Sequence, residues 1–154
     1  MSMVSIARQK LWIIQRALPL NFSQNELFDI YTKEVRSILE YGVPVWHSSI
    51  SRKEVADIEA VQTFVFRIIL GNRYSSYSDA FNFLGTQTLE QRRQQICLRF
   101  VSKNLASENC LFTLSTQNEK LRPRKQKVNE FKCNTNQFQR SSLPYLAQLA
   151  NSQL

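Results

Sequence analysis

The residues of this sequence that could do chemistry are few and widely spaced. Its one histidine, His47, follows Trp46 in the run GVPVWHSS, and its three aspartates, Asp29, Asp57 and Asp79, form no DD or DxD pair. Acid–base or metal-assisted catalysis needs carboxylates or histidines brought together. Nucleophilic catalysis would need a Ser or Cys aligned with His47 from elsewhere in the chain, which the sequence does not specify. We therefore interpret Trp46 and His47 as a packed corner between two helices, in which Trp46 fills the corner and His47 hydrogen-bonds at its edge.

The cysteines and glycines give no sign of a metal or phosphate site. Cys97, Cys110 and Cys133 are far apart, whereas a zinc site needs Cys or His pairs two to four residues apart. We expect three reduced thiols that are at least partly buried. With three glycines in the whole chain, no glycine-rich phosphate loop is present. We expect no cofactor and no metal.

The charge of the chain is positive and unevenly placed. Of its 154 residues, 20 are Lys or Arg and 12 are Asp or Glu, and residues 101–154 hold eight of the basic residues against three acidic ones. Such an excess is typical of a segment that meets a polyanion, most often nucleic acid. The alternative is that the charge serves solubility. No apolar run reaches the roughly 18 residues of a membrane span, and no secretory signal is evident, so we expect an intracellular protein.

Hydrophobic spacing predicts an all-α fold, a small helical bundle of four to five helices with an irregular basic C-terminal arm. The first helix covers residues 4–18, and the second carries the apolar stripe Leu27, Tyr31, Val35, Ile38, Leu39. Gly42 ends the second helix and Pro44 prevents its continuation. Capping boxes begin two further helices, Ser51 with Glu54 in SRKE and Thr88 with Gln91 in TLEQ. The predicted corner consists of Gly42, Pro44, Trp46 and His47.

Two ranges follow from this pattern. Residues 4–106 form the helical bundle, and residues 107–154 form a loosely ordered basic arm that ends in a short helix, LPYLAQLAN. On the helix that starts near Thr88, the basic residues Arg92, Arg99 and Lys103 fall within about 40° of one another around the axis. They lie on the flank of the apolar face, either as a binding stripe or as an ordinary solvated surface. Arg93 points toward the apolar side and lays its stem along it.

Nearly the whole chain, from about residue 8 to 151, resembles a known family. The run RSILEYGVPVWHSSISRKEVADIEAVQTFVFRIILG resembles the segment after the reverse-transcriptase palm in non-LTR retrotransposon polyproteins of the jockey and CR1-like groups. There a pattern R-x-[IV]-LEY-x-x-PVWH precedes a helix similar to LE-x-VQ-x-x-ALRIILG. The likeness continues through YSSYSDAFNFLGTQTLEQRRQQICLRFVSKNL and into the tail, with RPRKQK and RSSLPYLAQLAN.

The resemblance implies a reverse-transcriptase thumb and C-terminal connection, a helical region that closes over RNA or an RNA–DNA hybrid and contacts the palm. The polymerase motifs of the family, including the two aspartates that bind the catalytic metals, lie upstream and are missing from this chain, as is the endonuclease domain. No enzymatic activity of its own is therefore expected. TFVF at residues 63–66 replaces a commoner RRAL-like stretch and removes basic character from that helix.

Phosphate contacts would come from Lys and Arg, with little sequence preference. The candidate nucleic-acid-binding residues are Arg92, Arg99 and Lys103 on the helix, and Arg122, Arg124, Lys125 and Lys127 in the arm. Tyr74 and Tyr77, next to Arg73, are candidates for stacking on a base or sugar, or else for packing.

The alternative function is a helical protein-interaction or oligomerisation module without a nucleic-acid role. Phe64 and Phe66 would then belong to an exposed apolar patch that buries against a partner or a second copy. A product without any selected role is a third reading.

Overall fold

The computed structural model describes residues 2–105 and 128–153, and within these ranges the chain is helical and forms no β-strand. The all-α prediction is confirmed. Two short helices, α4 and α8, were not predicted. The helices are α1 Met3–Ala17, α2 Gln24–Ile30, a π-helical segment Tyr31–Arg36, α3 Ser37–Glu40, α4 Val43–Trp46, α5 Arg52–Leu70, α6 Tyr77–Leu84, α7 Leu89–Leu105, α8 Asn136–Gln139 and α9 Ser142–Gln153.

The helix ends follow the local signals in the sequence. At the start of α5 the Ser51 amide donates to Glu54 Oε2 at 2.7 Å and the Glu54 amide donates to Ser51 Oγ at 3.3 Å, so the predicted capping box is confirmed. At α7 the corresponding bonds between Thr88 and Gln91 measure 3.3 and 3.1 Å. Gly42, with φ of 63°, adopts the left-handed conformation just after α3. These local caps mark the helix boundaries.

A π-helical segment interrupts the second predicted helix. Leu27, Tyr31, Val35 and Leu39 are all buried and follow one another at intervals of four residues. Around an ideal α-helix each such step drifts by about 40°, so four positions would spread over about 120°. The wider turn of the π segment Tyr31–Arg36 absorbs this drift and keeps the four side chains on the core.

The chain divides into two compact units, Met1–Tyr41 with Ser51–Arg92, and Gly42–Ile50 with Arg93–Leu154. We call them the first and the second unit. They do not coincide with the predicted ranges 4–106 and 107–154, because α4 and most of α7 share their core with the C-terminal helix α9. The predicted terminal helix is present as α9. Residues 107–127 of the predicted arm lie outside the described residues.

The first unit is built around aromatic side chains on α5 and its neighbours. Phe66 is fully buried, and its ring lies 5.8 Å from the rings of both Tyr77 and Phe81 on α6. Phe28 and Tyr31 approach it from the second helical run, at 6.4 and 6.5 Å. Tilted and edge-on rings at such distances pack favourably. Phe66 therefore belongs to the core, and the predicted exposed patch of Phe64 and Phe66 is wrong for Phe66.

The core of the second unit joins α4 and α7 to α9. Its buried side chains are Val43, Cys97, Val101, Val128, Leu146, Ala147 and Ala150. The Asn151 side chain fixes the backbone of Val128, accepting from its amide at 2.8 Å and donating to its carbonyl at 3.0 Å. These two bonds dock the chain before α8 onto the terminal helix.

One carboxylate on α5 determines where α7 begins. Glu59 Oε1 accepts from the Glu90 amide at 2.8 Å, and Oε2 accepts from the Leu89 amide at 3.3 Å and from the Tyr77 hydroxyl at 2.7 Å. The first amides of a helix have no partner inside the helix, and a negative charge at that end is favourable. One turn along α5, Gln62 Nε2 donates to the Gln87 carbonyl at 3.2 Å.

We predict that Glu59→Ala lowers the free energy of unfolding by about 2–3 kcal/mol, because two helix amides and one hydroxyl lose their acceptor. Urea unfolding followed by circular dichroism measures the change. Tyr77→Phe, which removes one of the three bonds, serves as the partial variant with a loss of about 1 kcal/mol. Equal stability of the Glu59→Ala variant and the wild type would contradict this account of the start of α7.

Candidate nucleic-acid interface

The positive charge of the protein belongs almost entirely to the second unit. Its residues include ten Lys or Arg against three Asp or Glu, whereas the first unit has ten against nine. The net charges are therefore +7 and +1. A polyanion is attracted by the sum of nearby charges. Five of these ten basic residues and two of the three acidic ones belong to residues 106–127, outside the described residues, so the described part of the second unit has five basic residues against one acidic.

Arg99 and Lys103, both predicted as phosphate contacts, lie on α7 in the second unit with exposed side chains. Neither side chain takes part in an ion pair with another described residue. Both side chains are thus accessible to a phosphate group of a ligand. The other predicted contacts, Arg122, Arg124, Lys125 and Lys127, lie outside the described residues.

Arg92, the third predicted contact on α7, belongs to the first unit and is engaged by Glu40 through two hydrogen bonds. Its Nε donates to Glu40 Oε1, and its Nη2 donates to Oε2 at 3.0 Å. Arg36 approaches the same carboxylate, with Nε 3.6 Å from Oε1. The hydrogen bond to Glu40 raises the pKa of Arg92, while burial, followed by the charge of Arg92, lowers that of Arg36. Arg92 is therefore held by a carboxylate of the first unit, and its role as a phosphate contact stays a prediction.

The neighbouring Arg93 is fully buried, in agreement with its predicted orientation toward the apolar side of the helix. One turn further, Cys97 is also fully buried, and burial raises the pKa of its thiol to about 11 against the opposing effect of the Arg93 charge. Cys133 is partly exposed, and its thiol donates to the Phe131 carbonyl at 3.3 Å. In the described ranges, no three His, Cys, Asp or Glu side chains lie close enough together to hold a metal ion.

The two candidate stacking residues are used in packing within the first unit. The Arg67 guanidinium lies over the Tyr74 ring, 5.4 Å from its centroid. Tyr77 packs its ring on Phe81 at 4.5 Å and donates its hydroxyl to Glu59. Burial is the main cause that raises the pKa of this hydroxyl, and the bond to Glu59 adds to it. Both rings are partly exposed.

Sequence reasoning missed three exposed residues of the second unit. Lys132 and Arg140 are exposed, and Phe138, two positions before Arg140, is 39% exposed beside Phe131 at a centroid distance of 6.4 Å. The signal was the run FKCNTNQFQR, in which aromatic and basic residues alternate. That combination is used by proteins that hold single strands or backbones of nucleic acids.

The predicted corner residues Gly42, Pro44, Trp46 and His47 belong to the second unit. Residues 43–46 form the short helix α4, with Pro44 in its first turn, where a missing amide proton costs little. Trp46 packs against the core of Val43 and Cys97, and the His47 ring meets Tyr145 of α9 edge-on at 5.4 Å.

No protein-family model, no curated protein and no solved structure matches the chain. Across residues 2–105 and 128–153, none of the helices combines the length and the apolar content needed to cross a bilayer.

We predict that Arg92→Ala lowers the free energy of unfolding by about 1–2 kcal/mol, because Glu40, whose side chain is 16% exposed, loses a two-bond partner. Urea unfolding measures this loss. Arg99→Ala is the matched control and stays within about 0.5 kcal/mol of the wild type, since its side chain is exposed. Identical stability of the two variants would assign Arg92 to the surface instead.

We further predict that the Cys97 thiol of the folded protein resists alkylation by iodoacetamide at about pH 8, because both its burial and its raised pKa keep the thiolate scarce. Peptide mass spectrometry after timed alkylation reports each cysteine separately. Cys133, which is partly exposed, serves as the internal control and reacts faster. Equal rates at Cys97 and Cys133 in the folded protein would contradict the prediction.

Proposed function

We propose that this chain is the thumb and C-terminal region of a non-LTR retrotransposon reverse transcriptase, and that its second unit holds the phosphate backbone of RNA or an RNA–DNA hybrid. The proposal includes no catalytic site of the chain's own. The observation that carries it is the charge partition: the second unit has a net charge of +7 and the first +1. The sequence resemblance, which spans nearly the whole chain, supports the same reading.

The chemistry of the exposed side chains favours backbone contacts over base recognition. Arg99 and Lys103 stand on consecutive turns of one helix face, four residues and therefore about 6 Å apart along the axis. That spacing is similar to the distance between neighbouring phosphates of a strand. Each Lys or Arg that neutralises a phosphate releases counterions, so binding is strong at low salt and weakens steeply as salt rises.

Contacts to phosphates and sugars suit an RNA–DNA hybrid. An RNA–DNA hybrid is partly A-like, with a deep, narrow major groove that side chains do not read. Contacts are then made to phosphates and sugars, and the protein tolerates many sequences. Lys132, Arg140 and the exposed ring of Phe138 add charge and a stacking surface to the same unit.

We predict that Arg99→Ala with Lys103→Ala weakens binding to a labelled RNA–DNA hybrid about tenfold at about 100 mM salt and lowers the salt slope by up to about 2. Fluorescence anisotropy across a salt series measures both quantities. The matched control is Lys33→Ala with Arg52→Ala, which removes two charges from exposed positions of the first unit and leaves the affinity within about twofold.

Two outcomes of this experiment would contradict the proposal, and a charge-preserving exchange adds a further control. Equal losses in the two double variants would show that net charge alone matters and would contradict an interface on the second unit. No binding by the wild type at low salt would overturn the nucleic-acid proposal altogether. The exchange Arg99→Lys with Lys103→Arg keeps both charges and, by the proposal, keeps the affinity.

The predicted contribution of the arm needs its own variant. Replacing Arg122, Arg124, Lys125 and Lys127 together by Gln removes four charges, and by the proposal lowers the salt slope further, by up to about 4. A slope equal to that of the wild type would exclude these four residues from the interface and leave α7 as its main element.

A further inference from the structure

One face of α5 is left uncovered in the first unit. The opposite face is buried, with Ile58, Val65 and Phe66 in the core. The uncovered side chains recur every three or four residues, the spacing of a second helix-packing seam. They are Lys53, Ala56, Ala60, Phe64 and Arg67.

Phe64 stands on this seam between two depressions. On one side a groove of about 470 Å³ is lined by Trp12 of α1 together with Ala60 and Phe64. On the other side, a depression of about 560 Å³ is lined by Ala56, Ala60 and Tyr77 among others. Phe64 and Trp12 are 43% and 55% exposed, so two large apolar side chains project from the surface next to small alanines.

We infer that this face packs against the same face of a second copy, with the two α5 helices antiparallel. A two-fold symmetric contact requires one surface to carry both halves of each interaction. This surface does so, because Phe64 supplies the projecting ring and Ala60, one turn earlier, supplies the space for the partner's Phe64. Alanine positions let two helix backbones approach closely.

The charges on α5 favour an antiparallel over a parallel arrangement of the two α5 helices. When Phe64 lies opposite Ala60 of the partner subunit, the same antiparallel register brings Arg67 to the level of Asp57 of the partner subunit. Asp57 is 45% exposed at its side chain and lies 3.7 Å from Arg8 in a solvent-exposed pair, which is a weak competitor. A parallel pair would instead bring like charges to the same level, Arg67 next to the partner's Arg67, which is unfavourable.

This inference is independent of the proposed function, since its residues all lie in the first unit and the nucleic-acid residues in the second. Loss of nucleic-acid binding would leave it untouched. The experiment uses the full chain freed of nucleic acid by nuclease treatment and high salt, because bound RNA could bridge two copies.

Sedimentation equilibrium of the wild type and three variants tests the inference. We expect a dimer with a dissociation constant below about 100 µM. Phe64→Ala raises that constant at least tenfold, since an apolar ring at the centre of the contact is lost. Arg67→Glu also raises it about tenfold, because it places two carboxylates together, and the double change Asp57→Lys with Arg67→Glu restores the wild-type value.

Lys33→Glu, which makes the same charge change at an exposed position of the π segment, is the control and leaves the constant unchanged. Circular dichroism confirms that each variant keeps its helical content. A wild type that stays monomeric at about 100 µM overturns the inference. So does a dimer that is insensitive to Phe64→Ala, or one in which the Asp57 and Arg67 exchange fails to restore association.

Discussion

The fold of the first unit and the starting point of α7 depend on the Glu59 carboxylate. It accepts hydrogen bonds from two amides at the start of α7 and from the hydroxyl of Tyr77 on α6, so a single side chain of α5 joins three helices. Removing a carboxylate from water is costly unless donors replace the lost solvation. Here two of the donors are helix amides that have no acceptor inside their own helix, so the bonds satisfy both the carboxylate and the amides. Because α7 starts at this point, Arg92, which follows within the first unit, has a fixed position opposite Glu40.

The two units treat their charges differently. In the first unit, Arg8 pairs with Asp57, Lys10 pairs with Glu34, and Arg36 and Arg92 share the carboxylate of Glu40. Its nine acidic residues almost balance its ten basic ones, which leaves little field for a polyanion. The second unit has too few acidic residues to do the same. By the proposed function, the second unit, which has the larger positive excess, is the part of the chain that attracts a polyanion.

Local features were predictable from the sequence, and long-range partners were not. The capping boxes at Ser51 and Thr88 depend on residues three positions apart, so their pattern was sufficient. The same helical geometry placed Arg92 beside Arg99 and Lys103, but the partner of Arg92 is Glu40, 52 positions away, and no local pattern reveals it. Likewise Glu59 reaches an amide 31 positions further on. The strict interval of four between Leu27, Tyr31, Val35 and Leu39 did contain the signal for the π segment, since an ideal α-helix cannot keep such a series on one face.

The helical period alone predicts that the two phenylalanines of TFVF lie on different faces of α5. Residues two positions apart on an α-helix point about 160° away from each other, so Phe64 and Phe66 cannot share an exposed patch. The structure places Phe66 in the aromatic core and leaves Phe64 on the surface. The exposure of the Phe64 ring is therefore not a packing defect of the core, which Phe66 fills. The ring stands beside Ala60, where a neighbouring α5 could come close, and beside Arg67, whose charge is complementary to that of Asp57. Self-association through α5 and backbone binding through the second unit would thus use separate residues, and each could be lost without the other.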